Sequence, residues 1–231
     1  MLGAVRSPPA RGFLPALTLL FACASACATG PRPFPPPVPE VLALNQAAGD
    51  PYAGRFPYED AVAGLPEGAR LVAVLATDAG EIRCRLDPGE APIAVASFVG
   101  LARGLRPYQT EAGGPWTTGP YYDGLPFHRV VDGEFVQTGR RGAGPGFRLQ
   151  DEMSPGHVFD SPGLLALANT GAPHSSAAEF FITFSALSGL KGKHTILGSC
   201  DNEDVVRELA RRALAAPDAP PILQRVTILR E

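Results

Sequence analysis

The chain has 231 residues, 20 Lys+Arg against 23 Asp+Glu (net charge −3), 45% hydrophobic and 19% charged residues. That length supports one substantial core or two small ones once a leader is removed, and the apolar content excludes a disordered chain. The mildly acidic balance argues against a protein that tracks nucleic-acid phosphates, and four cysteines are too few for a disulfide-built scaffold.

Arg6 and Arg11 precede the apolar run 13–26, with no acidic residue among them. At 14 residues the run is shorter than the roughly 20 a spanning helix needs, so residues 1–26 read as a signal peptide. The chain is therefore expected to be exported, to a periplasm or cell envelope. Leu20-Phe-Ala-Cys23 and Ala24-Ser-Ala-Cys27 both resemble a bacterial lipobox. Cys27 is the favoured lipidation site and Cys23 the alternative, giving a membrane anchor; ordinary cleavage at Ala26-Cys27-Ala28 is the other route. Residues 27–68 read as a Pro-rich tether and irregular lead-in. Six prolines fall within 31–39, favouring a semi-rigid polyproline II spacer, and a short helix fits residues 40–48.

From Ala69 onward a single folded domain, 69–231, is expected. Residues 70–77 and 81–86, parted by Asp78-Ala79-Gly80, form a hairpin in which Ile82, Cys84 and Leu86 alternate onto one face. Residues 92–103 are helical: Pro92 suits the first turn, Ile93, Ala96, Val99 and Leu101 form a stripe, and Gly104 is a carboxy-cap. A Gly- and Pro-rich loop leads to strands at 127–131 and 134–138. Apolar segments follow at 163–168 and 179–184, then a strand at 195–197. A helix at 203–214, capped by Asp201 or Asn202, precedes the last strand at 222–230. Many short strands with two helices predict a mainly β fold, a closed antiparallel barrel with helices covering its ends. Cys84 and Cys200 either form a disulfide in an oxidising compartment or remain buried thiols.

Residues 121–139 read Tyr-Tyr-Asp-Gly-Leu-Pro-Phe-His-Arg-Val-Val-Asp-Gly-Glu-Phe-Val-Gln-Thr-Gly. This stretch resembles the signature of cyclophilin-type peptidyl-prolyl cis-trans isomerases, in which Phe-His-Arg is followed eight residues after the Arg by Gln. Leu165-Ala-Leu-Ala-Asn-Thr-Gly171 is similar to the family's strand ending in Ala-Asn. Glu179-Phe-Phe-Ile-Thr183 is similar to its Gln-Phe-Phe-Ile block, and Leu190-Lys-Gly-Lys-His-Thr-Ile-Leu-Gly198 to its Leu-Asp-Gly-Lys-His segment. The resemblance spans residues 69–230. It implies a closed eight-stranded antiparallel barrel capped by two helices, no cofactor and no metal. It also implies proline-containing unfolded or exported polypeptides as partners, and a monomer.

The implied reaction is rotation about an Xaa–Pro bond, against a barrier of about 18–20 kcal/mol set by amide resonance. A catalyst must hold the twisted amide better than either planar form. Twisting returns a lone pair to the prolyl nitrogen, and Arg129 is the donor expected to meet it. Gln137 orients Arg129 or the substrate backbone, and His194 completes the catalytic three. By resemblance, Phe135, Phe181, Leu190 and His194 line the proline pocket and Asn169 aligns the substrate through its main chain. Gly142 and Ala168 shape the adjoining groove. His128 is given no chemistry.

The chain departs from the pattern at several positions. Glu134 stands where the family carries a pocket Phe, with Phe135 placed to restore the apolar surface. Glu179 replaces a Gln at a substrate-binding position, and a carboxylate accepts hydrogen bonds but cannot donate them; pairing with Arg129 would hold that residue away from substrate. One extra residue lies in the 172–178 loop, Gly189 occupies the place of a Trp, and Thr170 that of a small Ala. Glu134, Glu179 and Gly189 leave a second reading open, a proline-binding module or chaperone with little catalysis. A metal site is disfavoured, because the four histidines lack ligand spacing.

Overall fold

Along β1 (Leu71–Thr77) and β2 (Gly80–Leu86), alternate side chains turn into one apolar core, Leu71, Ala73 and Leu75 from the first and Ile82, Cys84 and Leu86 from the second. The computed structural model describes Met1, Gly3 and residues 32–155 and 158–231. The apolar run 13–26 and the candidate lipidation residues Cys23 and Cys27 lie outside the described residues.

The later strands are β3 (Leu125–Pro126), β4 (Arg129–Val131), β5 (Phe135–Thr138), β6 (Leu164–Leu167), β7 (Phe180–Thr183), β8 (Ile196–Cys200) and β9 (Ile222–Arg230). They form one sheet in the order β3-β9-β1-β2-β8-β6-β7-β5-β4, and every pairing is antiparallel. The fold is mainly β as expected, but it is a curled nine-stranded sheet rather than a closed eight-stranded barrel. Its two edge strands, β3 and β4, are neighbours in sequence and do not share a ladder. β3 is two residues long and ends at Pro126, which has no N–H to offer. The chain itself, through Phe127 and His128, spans the gap, and Thr138 Oγ1 donates to Pro126 O at 2.8 Å.

Four α-helices occur among the described residues, one more than expected, the short helix at Tyr58–Val62. Helix α3 (Pro92–Ala102) is buried on every side, not along one stripe. Its N-cap, Ala91, has no side chain to cap with; Glu152 does so from a distance, accepting from Ile93 N at 3.2 Å and Ala94 N at 2.8 Å. Helix α4 (Glu203–Ala215) buries Val206, Leu209 and Ala210 against the core. Neither expected cap acts as one. Asn202 is left-handed at the cap position and donates instead to Glu81 O, while Asp201 accepts from Arg83 N. Both tie the helix entrance to β2.

The segment read as tether and lead-in packs on the sheet domain. Pro36 O accepts from Gln150 Nε2 at 3.3 Å and Arg32 reaches Glu90, while within the segment Pro35 O accepts from Arg55 Nη2 at 2.7 Å. After α1 (Pro39–Ala47), Asp50 accepts from Gly54 N and Tyr52 N and pairs with Arg106 at 3.2 Å. Both side chains of that pair are 0% exposed. The Arg106 guanidinium lies 3.6 Å from the Phe147 ring centroid and 5.8 Å from that of Phe56. Burial draws its pKa down to about 10, with Asp50 opposing, so Arg106 stays charged at neutral pH. Phe56, just before α2 (Tyr58–Val62), docks where Gly100 of α3 leaves room: a Cβ there would lie 2.5 Å from the Phe56 ring. Cys84 and Cys200, opposite each other on β2 and β8, form a disulfide.

Removing Asp50 leaves a buried guanidinium without its counter-charge. Asp50→Ala is expected to destabilise the protein by about 3–5 kcal/mol, read as a drop in the urea unfolding midpoint. A loss under ~1 kcal/mol would mean that water or another carboxylate satisfies Arg106.

Candidate active site

The strand registers set out the site. Arg129 on β4 stands opposite Gln137 on β5, Gln137 opposite Phe181 on β7, and Phe181 opposite Ala166 on β6. Directly opposed residues share a face, so these four form one row across the sheet. The neighbouring row, Val130, Val136, Ile182 and Leu165, faces the main core. The site side carries its own apolar cluster of Phe135, Phe159, Ala166, Phe181 and Ile196, edged by Ala168 and Leu190.

Arg129 Nη1 donates to Gln137 Oε1 at 2.9 Å, and the guanidinium lies 4.9 Å from the Phe135 ring centroid. Gln137 Nε2 donates to Glu179 Oε2 at 2.8 Å. Glu179, immediately before β7, also takes His128 Nε2 at 3.2 Å and Arg140 Nε at 3.1 Å. Glu179 can only accept and Arg129 can only donate; the Gln137 amide therefore has one orientation that satisfies both. Glu179 bonds to Gln137 and makes no contact with Arg129, so the expected quenching pair does not form. Burial opposes ionisation of Glu179, but hydrogen bonds from His128, Arg140 and Gln137 outweigh it and bring its pKa to about 2.

His194 stands edge-on to Phe181 at 5.1 Å between centroids. Its Nδ1 lies 3.0 Å from Leu167 O, a carbonyl that can only accept, so Nδ1 carries the hydrogen and Nε2 is bare. Burial lowers its pKa, keeping the ring neutral. Phe135 lies 5.0 Å from Phe181, while Glu134 is exposed at the β4–β5 turn. Asn169 fastens two loops, donating to Lys193 O and accepting from Gly171 N.

Arg129, Gln137, His194, Phe135, Phe181, Leu190, Ala168 and Glu179 thus converge on one face, with Asn169 and Ala168 on the wall of an adjoining groove. Gly142 does not line that groove. At φ +53° a Cβ on it would lie 2.0 Å from Thr110 O, so its bareness lets the loop cross residue 110. Phe159, 1% exposed and 6.0 Å from Phe181 between stacked rings, had no signal in sequence: it lies in an aperiodic stretch rich in Gly and Pro. His128 and Arg140 join through Glu179. Gly189, in the turn Ser188–Leu190, leaves the rim beside Leu190 open.

A sequence model of the family described as "Cyclophilin type peptidyl-prolyl cis-trans isomerase/CLD" matches residues 72–230. Peptidyl-prolyl cis-trans isomerase A of Mycobacterium tuberculosis is 39% identical over 172 residues, covering 69% of this chain and 93% of its own. Peptidyl-prolyl cis-trans isomerase B of Streptomyces anulatus is 39% identical over 155 residues, covering 65% and 87%. In solved structures the same fold is found in a cyclophilin type isomerase of Cryptosporidium parvum. It is 23% identical, has a TM-score of 0.59, and the match covers 70% of this chain and 99% of that one.

Because the pKa of Glu179 falls from the ordinary 4.5 to about 2 on folding, its ionised form favours the folded state. That contribution is complete above about pH 4.5 and is lost as pH falls towards 2. Glu179→Gln should therefore unfold at lower denaturant than the parent at pH 6, with the gap closing by pH 2–3. A gap that does not change with pH would show that the charge of Glu179 is not what its partners hold.

Proposed function

The chain belongs to the cyclophilin-type peptidyl-prolyl cis-trans isomerases, and from that membership we propose that it acts on exported, proline-containing polypeptides, with Arg129 stabilising the twisted amide. Rotation makes and breaks no bond, so the whole task is to favour the twisted state over both planar ones. As conjugation is lost the prolyl nitrogen regains a lone pair. A donor already aimed at that position stabilises the transition state alone. The observation that carries the reading is the double restraint on Arg129, hydrogen-bonded to Gln137 and laid against Phe135, beside an apolar pocket.

In this reading the proline ring sits among Phe135, Phe159, Phe181, Leu190 and His194. The neutral imidazole adds polarisable surface without a charge that would draw water in. Gln137 is a positioning residue for Arg129 and Glu179 one for Gln137, and Asn169 aligns the substrate through its main chain. The binding-module alternative drew on a carboxylate that disables Arg129; the contact of Glu179 with Gln137 instead supports an ordered donor.

Export is supported by two independent features, the apolar run 13–26 after Arg6 and Arg11 and the Cys84–Cys200 disulfide, which suits an oxidising compartment. We place the chain in the periplasm or cell envelope, held by a lipid on Cys27 or Cys23, and working as a monomer.

The test is a protease-coupled assay on a short Xaa-Pro peptide. The parent should exceed the thermal rate, and Arg129→Ala should lower kcat/KM about 10²–10³-fold, the size expected for removing one preorganised donor. Turnover within a few-fold of the parent would exclude Arg129 from that role. Glu179→Ala frees Gln137 and should cost about tenfold, near 1.4 kcal/mol, whereas Glu179→Gln, keeping an acceptor, should stay within about threefold; equal losses would sink the relay. For export, chain recovered from cells under thiol-blocking conditions should carry Cys84 and Cys200 unlabelled until reduced. Labelling of both before reduction would count against an oxidising compartment.

A further inference from the structure

Among the described residues, every arginine but four has a hydrogen-bond or ion-pair partner for its guanidinium. The four without one are Arg70, Arg85, Arg148 and Arg230. Three of them, Arg70, Arg85 and Arg230, line a single cleft of about 370 Å³.

Strand register puts them there. Leu71 opens β1 and stands opposite Leu86 of β2 on one side and Arg230 of β9 on the other. Arg70 precedes Leu71 and Arg85 precedes Leu86, so three neighbouring strands bring their arginines to the same end of the sheet. The lining holds one carboxylate, Asp87. Close by in the chain, Glu90 is paired with Arg32 and the Glu231 side chain with Arg83. No residue of the isomerase site lines this cleft.

Like charges gathered round one concavity repel unless they share an anion. Each guanidinium is a planar fork that matches carboxylate or phosphate oxygens in pairs. A carboxylate lies in one plane and suits one fork; a phosphate directs its oxygens tetrahedrally and meets forks arriving from several directions. We propose that this cleft is a seat for a phosphate group. The seat depends on neither the isomerase reading nor the anchor.

The course of the chain bears on where such a group comes from. Arg32 N donates to Pro88 O at 3.4 Å and Arg32 Nη2 to Glu90 O at 2.8 Å, and Pro88 lines the cleft. Cys27, the favoured lipidation site, is five positions earlier, at most about 18 Å of extended chain. On the anchor reading, membrane headgroups are therefore the phosphates within reach; soluble phosphate esters are the other source of the same chemistry.

The test is modification of the intact chain by phenylglyoxal, an arginine reagent, read residue by residue by mass spectrometry. It is run with phosphatidylglycerol vesicles, with glycerol phosphate, and with phosphatidylcholine vesicles as the blank of zero net charge. Arg148, also without a partner but at the isomerase groove, is the internal reference. A ligand at about four times its Kd occupies about four-fifths of its sites, so Arg70, Arg85 and Arg230 should slow together about fivefold while Arg148 does not. Protection by phosphatidylglycerol alone assigns the seat to a lipid headgroup, and protection by glycerol phosphate as well assigns it to soluble esters. Arg85→Gln, at an exposed position, should unfold like the parent and weaken the protection of Arg70 and Arg230 together, because the three share one anion. No protection by either phosphate, equal protection by phosphatidylcholine, equal slowing of Arg148, or protection that survives Arg85→Gln unchanged would overturn the proposal.

Discussion

Everything at the site hangs on strand register. Side chains alternate across a sheet with a period of two, so a slip of one residue exchanges the two faces completely. Here one face of β4, β5, β7 and β6 carries Arg129, Gln137, Phe181 and Ala166, and the next row carries Val130, Val136, Ile182 and Leu165 into the core. A slip would bury a guanidinium and an amide and expose four aliphatic side chains. At about 1.5–3 kcal/mol for each large apolar side chain buried, plus several kcal/mol for an unpaired buried charge, the core enforces the register. The site geometry is therefore paid for by packing on the other side of the sheet.

Within that register the finer adjustment is chemical. An amide between a pure donor and a pure acceptor has a single orientation that satisfies both, and Gln137 lies between Arg129 and Glu179. The Arg140–Glu179 pair is half open to solvent and contributes only about 0–1 kcal/mol to stability. Its consequence is geometric, holding the carboxylate where it selects the Gln137 orientation. A glutamate in this place strengthens the alignment of Arg129, because a glutamine there could present either end of its own amide.

The readable part of the site was the part written locally. Arg129 and Gln137 lie on adjacent strands joined by a short turn, and Glu179 to Thr183 is one continuous block, so each piece carries its own motif even though Gln137 and Glu179 meet across 42 positions of chain. The hairpin of β1 and β2, helix α3 and helix α4 were legible for the same reason, each carrying its own periodicity or punctuation. Phe159 was not, since it reaches the cluster from an aperiodic loop. The caps were misread because Asn202 and Asp201 found longer-range partners on β2, while Glu152 supplied to α3 what Ala91 lacks. The sheet stays open between its edge strands β3 and β4, which Phe127 and His128 link without a ladder.

The proline run misled for a physical reason worth stating. Composition reports how stiff a segment is, and residues 32–38 form neither helix nor strand; it says nothing of whether the segment touches anything. What binds this region to the sheet domain is an ion pair between Asp50 and Arg106, 56 positions apart, together with Phe56 slotted over Gly100. Neither pair has a local signature, since a lone Asp and a lone Arg are most often solvated. Once Arg106 is buried, however, its charge must be matched, and Asp50 supplies that match from outside the family-matched region. The folded unit consequently begins well before residue 72, which is also why a helix there can reach the edge of the active site.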